Sequence, residues 1–258
     1  LDYSVMKNCR KESKNPILPH LRQDRAAFLE DLCFSSDLDR LDYIIEACRS
    51  KRVLDVGCVE NDADESSRED WLHAKIESVA TYCLGLDVLP DEISTLQGKG
   101  YNVQCHDLTQ SPFPGEIFDL AICGEIVEHI GNIDGLLRNC SKMLRDGGMM
   151  ILTTPYPWFI GATLRHSIRG RYLPGSLEHV AWYDQSNFAE LASRHGFQLD
   201  AFAGIRPAKL EGGFRRQVFE GFAASIRRGQ IPFVAPLTGC RSLLYVLRLA
   251  SKAEIAVG

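Results

Sequence analysis

The chain has 258 residues, 45% of them hydrophobic and 24% charged, with a formal net charge of -5. This balance excludes a disordered chain, a collagen-like repeat and a disulfide scaffold, and no run approaches the ~18 apolar residues of a membrane-spanning helix. The length suits one large α/β domain with decorations better than two full domains.

Charge is uneven along the chain. From Arg206 onward nine Lys/Arg face three Asp/Glu, a balance of +6, while the first 205 residues carry -11. The basic tail is either a solvated face or a surface for an anionic partner such as a phosphate, RNA or a membrane surface. The nine cysteines are scattered and never form a CxxC pair. Several lie inside apolar runs, so they read as buried free thiols of a reducing compartment. No charged-then-apolar leader is visible, and a cytoplasmic location is the expectation.

In chain order, residues 1–20 are polar and contain Asn15-Pro16 and Leu18-Pro19, which reads as an arm. Residues 24–33 and 37–49 carry helical spacing, so residues 1–50 are expected to be an N-terminal arm with a helical extension. Residues 51–258 are expected to form the main domain. Within it Arg52–Gly57, Tyr82–Asp87, Tyr101–Cys105, Phe118–Cys123 and Met149–Thr154 are short apolar runs with strand character. Between them, Ser66 and Glu69 have capping-box spacing ahead of a helix. Asp91–Gln97 is a short helix, and Ile133, Leu136, Leu137, Cys140, Met143 and Leu144 mark an amphipathic helix closed by Gly147-Gly148. Residues 156–182 show no period and read as a lid-like insertion. Asp184–His195 is a helix and Phe197–Ile205 a sixth strand. A basic insertion at 206–241, helical over Phe214–Arg228, precedes Ser242–Ala250, a seventh strand or a helix. Alternating strands and helices predict a mostly parallel sheet covered by helices on both faces. Ligands of such sheets bind beyond the carboxyl ends of the strands.

The chemistry-bearing residues sit at those ends. Val53-Leu54-Asp55-Val56-Gly57-Cys58 ends a strand in a turn where Gly57 lets a ligand approach the backbone. Gly85-Leu86-Asp87-Val88 puts a carboxylate where it can accept ribose hydroxyls. Cys105-His106-Asp107-Leu108, Phe118–Gly124 with Glu125-Ile126-Val127-Glu128-His129, and Leu144–Pro155 follow in order. This series resembles the class I, Rossmann-like, S-adenosylmethionine-dependent methyltransferases, and in particular the ubiquinone-pathway O-methyltransferase-like group. The resemblance covers Arg52–Pro155 and implies a seven-stranded Rossmann-like sheet with S-adenosylmethionine as cofactor. It implies that Gly57, Cys58 and Gly124 serve the methionine end, that Asp55 anchors the loop or accepts from the cofactor's ammonium through water, and that Asp87 and Val88 serve the ribose and Asp107 and Leu108 the adenine. The family's usual glycines two and four positions after Gly57 are here Val59 and Asn61, so the turn is expected to differ locally. A dehydrogenase is disfavoured because the Gly-x-Gly-x-x-Gly fingerprint is absent.

Glu125, Glu128 and His129 resemble a Glu-x-x-Glu-His segment that binds a divalent cation in some O-methyltransferases and in small-RNA 2′-O-methyltransferases. The latter add a distal His-x-x-x-Trp like His179-Val180-Ala181-Trp182. The metal set implied is Glu125, Glu128, His129 and His179 with Mg²⁺ or Mn²⁺. Without metal, His129 or His179 is the candidate general base, with Glu128 bracing the loop. The expected reaction is O-methylation of a small-molecule or glycan acceptor. The alternatives are a metal-dependent RNA 2′-O-methyltransferase and a degenerate methyltransferase-like interaction protein. Tail residues Ile231–Leu249, apolar with arginines, leave peripheral membrane contact open.

Overall fold

The computed structural model describes residues 34–59, 71–169, 177–205, 214–232 and 236–251. The arm, the 24–33 helix, Asn61, the Ser66–Glu69 capping box and the start of the basic insertion lie outside the described residues. Strands are β1 (Phe34–Leu38), β2 (Arg52–Val56), β3 (Tyr82–Asp87), β4 (Val103–Cys105), β5 (Phe118–Gly124), β6 (Leu144–Pro155), β7 (Phe197–Ile205) and β8 (Ser242–Leu249). Helices are α1 (Arg40–Cys48), α2 (Leu72–Val79), α3 (Pro90–Gly98), α4 (Ile133–Met143), α5 (Ile160–Arg169), α6 (Gln185–Ser193) and α7 (Phe214–Arg227). No helix among the described residues is long and apolar enough to cross a membrane.

All seven expected strands form one sheet, and β1 extends it at one edge, in the order β1-β7-β8-β6-β5-β2-β3-β4. The strands are parallel except β8, which runs antiparallel between β6 and β7. The chain moves outward from β2 to β3 and β4, then crosses to β5 on the other side of β2. That reversal opens a crevice between β2 and β5 at their carboxyl ends, where doubly wound sheets take ligands. Because β8 is antiparallel, its first residue, Ser242, pairs with Pro155 and arrives at the same edge.

Three local readings change. The helix expected over 37–49 begins at Arg40, because the Asp39 carboxylate accepts from the Asp42 N–H and caps it. The residues before the cap are therefore extended and pair with β7. The Gly147-Gly148 pair does not close α4, which ends at Met143. It lies inside β6, near a register shift against β5 and with Gly147 at φ +71°, as in a β-bulge. The unperiodic 156–182 stretch contains α5.

Strand alternation divides the core. Leu54, Val56, Leu84, Leu86, Ala121 and Cys123 pack beneath α4 and α6. Val53, Cys83, Leu120 and Ile122 face the opposite layer with Ile44, Ala47 and Ile76 of α1 and α2. Both faces being covered explains why the strands read as continuous apolar runs. Of the cysteines described, six are buried free thiols and Cys105 is exposed.

Candidate active site

β2 ends in the Gly57 turn. Gly57 has φ +74°, and a Cβ there would meet Ile126 Cγ1 at 2.9 Å, so this position needs glycine on both counts. The Gly57 and Cys58 N–H groups donate to Leu86 O at 2.8 and 3.4 Å. Val59 is not left-handed: among the described non-glycine residues only Ser50 and Glu125 have positive φ. Its side chain is buried with Cys58, Trp71, Ile93, Leu96 and Val103, and its N–H donates to Asp87 Oδ2 at 3.0 Å. An apolar anchor and a carboxylate thus set the turn where further glycines were expected. Asp55 is almost fully buried and its carboxylate meets His73 Nδ1 at 2.9 Å. It faces the underside of the turn, not the crevice. The Cys58 thiol is buried too, and desolvation, then Asp55 and Asp87, push its pKa up, so it stays protonated.

Asp87 ends β3 at the crevice. Oδ1 accepts from the Val88 N–H at 2.7 Å while Oδ2 holds Val59. The Leu89 N–H is a third backbone donor to this carboxylate, and the remaining acceptor capacity is open to a ribose hydroxyl. Burial raises the Asp87 pKa against the lowering effect of these N–H donors. Val88 beside it is 57% exposed, an apolar surface at a polar site. Asp107 Oδ1 accepts from the Thr109 N–H and hydroxyl at 2.9 and 2.7 Å, which closes the turn after β4. Leu108 is buried among the core residues over α4, and its carbonyl accepts from Asn139 Nδ2 at 2.8 Å.

β5 ends at Gly124, where a Cβ would lie 2.5 Å from Arg40 Nη2. Arg40, on the first turn of α1, is a site residue that sequence reasoning missed. A cation there opposes the helix dipole, and this was the available signal. Arg40 Nε is buried with no hydrogen-bond partner. Glu125 follows at φ +55°, a conformation that costs a non-glycine residue about 1–3 kcal/mol. Its N–H donates to Thr153 O at 3.1 Å, and its Oε2 accepts from Ser242 Oγ at 3.5 Å. Burial raises the Glu125 pKa, with Arg40 opposing.

Glu128 and His129 lie on a single 3-10 turn, Val127–His129. The Glu128 carbonyl accepts from the Val180 and Ala181 N–H groups at 2.8 and 3.2 Å. This clasp brings His179 edge-on to His129, with ring centroids 4.8 Å apart. Glu128, His129 and His179 offer ligand atoms that lie within 4.8 Å of one another. Glu125, expected in the same set, turns toward Ser242 and stands outside this group of three. Glu128 Oε2 and His179 Nδ1 are buried without hydrogen-bond partners. Desolvation, reinforced by Glu125, pushes the Glu128 pKa up to about 7. Desolvation and then His129 lower that of His179, which favours the neutral imidazole. Trp182, 44% exposed, stands edge-on to His179 at 5.8 Å.

The carboxyl ends of the strands thus bring together the Gly57 turn and the Asp87 and Asp107 carboxylates, and the turn after β5 holds a carboxylate whose pKa is raised to about 7 with two imidazoles. The model of a methyltransferase domain family matches residues 25–201. The ubiquinone biosynthesis O-methyltransferase of Coxiella burnetii (strain Dugway 5J108-111) is 26% identical over 194 residues, covering 72% of this chain and 81% of that protein. The enzyme of the same name from Rickettsia akari is 28% identical over 194 residues, covering 67% and 72%. Among solved structures, a SAM-dependent methyltransferase from Archaeoglobus fulgidus superposes with a TM-score of 0.54 at 18% identity, over 81% of this chain and 91% of that one. An S-adenosylmethionine-dependent methyltransferase from Mesorhizobium loti gives 0.50 at 18% identity, over 81% and 97%. These structural likenesses concern the fold.

Proposed function

Because the chain belongs to the methyltransferase domain family and is an S-adenosylmethionine-dependent methyltransferase, we propose that it methylates a hydroxyl oxygen of a small-molecule or glycan acceptor, with Glu128 receiving the proton. Asp87 and Val88 hold the ribose, and Asp107 with the turn above Leu108 holds the adenine. The backbone of Gly57, Cys58 and Gly124 lines the methionine end, and the unpartnered Arg40 Nε supports a carboxylate contact there. The cofactor supplies a methyl group on a positively charged sulfur. The protein's own task is to aim the nucleophile and remove one proton.

The observation that carries this reading is the Glu128–His129–His179 group with its unpartnered buried atoms. A pKa near 7 suits Glu128 to take a proton at neutral pH. His129 and His179 hold the acceptor hydroxyl beside it, and the exposed Trp182 ring offers a face for a planar ring or a sugar. The hydroxyl acceptor is also supported by relatives named as O-methyltransferases. Incubation with methyl-labelled cofactor and separate panels of phenols, sugars and short RNAs tests the proposal. Label on a phenol or sugar oxygen is expected. Label on RNA alone would move the acceptor to a 2′-hydroxyl, and label on nitrogen would overturn O-methylation.

The pH dependence follows from Glu128. The base must be ionised, so kcat should climb about tenfold per pH unit on the acid side and level off above about 7. Steady-state kcat between about pH 5 and 9 checks this, and Glu128→Gln should erase the limb.

The same three residues support a second reading, in which a divalent cation is held there. One carboxylate and two imidazoles suit Mn²⁺ better than the all-oxygen preference of Mg²⁺. Such an ion would lower the pKa of an acceptor hydroxyl. Under this reading EDTA abolishes activity and Mn²⁺ restores it. Full activity after exhaustive chelation leaves Glu128 as the base.

A further inference from the structure

The Gly57–Val59 turn is held from below by two residues of one short segment, Trp71 and His73, where the chain enters α2. Trp71 is buried, and its Nε1–H donates to Cys58 O at 3.1 Å. His73 is fully buried, and its Nδ1 lies 2.9 Å from Asp55 Oδ2, two residues before Gly57. The His73 ring also packs against the strand beside it: a Cβ on Gly85 would be 2.8 Å from both His73 Cε1 and Cys58 Sγ. Glycine at 85 therefore makes room for His73 beneath the turn.

A buried carboxylate is tolerated only when hydrogen-bonded. Among the described residues the Asp55 side chain finds its partner in His73. With Nδ1 as the donor, the Asp55 oxygen accepts. The bond ties the end of β2 to α2 across the start of the turn. The turn itself has one glycine, so it has little freedom to settle into place on its own. Its direction depends on these struts and on the Asp87–Val59 bond above them.

We propose that His73 is a positioning residue for the cofactor, acting through Asp55 to fix the Gly57–Val59 backbone, so that it sets affinity for the cofactor and not the rate of methyl transfer. This rests on the assignment of that turn as the methionine end of the site. His73 touches neither the crevice nor the Glu128 group, so its loss should be read in binding alone.

Calorimetry with S-adenosylhomocysteine and steady-state kinetics test this on the full chain. His73→Phe should raise Kd and the cofactor KM about tenfold while kcat stays within about twofold. His73→Asn, whose Nδ2 lies where Nδ1 was, should recover most of that loss. If His73→Phe does not fold, the double variant Asp55→Leu/His73→Phe leaves no polar group buried alone and should show the same loss. Asp87→Ala runs in parallel as the control for the site assignment. Unchanged affinity in Asp87→Ala would mean that the assignment itself is wrong. Lost affinity in Asp87→Ala, with the His73 variants and the double variant within about twofold of wild type, would overturn the positioning role. Equal losses in His73→Phe and His73→Asn would reduce it to packing and overturn it as well.

Discussion

Replacing Glu128 by Gln should lower kcat about a thousandfold and, near neutral pH, make the protein more stable. The two effects have one cause. Glu128 is buried, and desolvation with the nearby Glu125 pushes its pKa from 4.5 to about 7. In the unfolded chain the group ionises near the ordinary value, so below that value both states are protonated and nothing is lost. Between that value and about 7 the unfolded chain gives up the proton that the folded protein keeps, so stability falls. Above about 7 the folded protein bears the buried, poorly partnered charge and the loss is complete. The difference corresponds to roughly 3 kcal/mol once both states are ionised. The glutamine variant carries no charge at this position and escapes that loss. Thermal unfolding with chelator present should give a higher Tm for Glu128→Gln at pH 8 and a difference near zero at about pH 4. A structural role for Glu128 would give the opposite sign at pH 8.

Asp87→Ala should weaken S-adenosylhomocysteine binding about a hundredfold. Asp87 works on both sides of the crevice wall. Its two oxygens accept from the Val88, Val59 and Leu89 N–H groups, and the proposed ribose contacts use the acceptor capacity that remains. Hydrogen bonds to a charged acceptor contribute roughly 1.5–3 kcal/mol each, so losing the ribose contacts and the hold on Val59 reaches this size. Asp87→Asn keeps one accepting oxygen and should fall between. Since burial raises the Asp87 pKa, cofactor affinity should also begin to fall at a higher pH than an ordinary carboxylate would allow. Fluorescence of Trp71, joined to the same turn through Cys58 O, offers an independent signal of the binding.

The strand ends were legible because each couples a short apolar run to a polar residue, and burial of both sheet faces leaves that pattern intact. Asp87, Asp107 and the Glu128–His129 pair fall where the pattern puts them, and the family expected from it is the one the chain belongs to. β1 was hidden because Ser35, Ser36 and Asp37 interrupt its apolar character, and Leu38, Leu41 and Ile44 carry a helical period into it. The contribution of Arg40 could not be read from spacing. It reaches Gly124 from a distant part of the chain, through the packing of α1 against the sheet. His73 was obscured for a different reason: within a helix an apolar-facing histidine looks like any core residue until its partner Asp55 is known. Val59 was expected to disturb the turn, and it does so by adding an apolar anchor. Glu125 shares the motif of Glu128 but not its direction, because its left-handed backbone turns it toward Ser242. Motif spacing alone does not encode that.

In the proposed function this crevice binds the cofactor through Asp87 and the Gly57–Val59 turn. Titration calorimetry of S-adenosylhomocysteine into the wild-type chain and into Asp87→Ala tests it most directly. Saturable one-to-one binding by the wild type is expected, with a Kd on the order of micromolar, together with its near loss in Asp87→Ala. No heat of binding in a folded wild-type protein, or equal binding by both proteins, would contradict it.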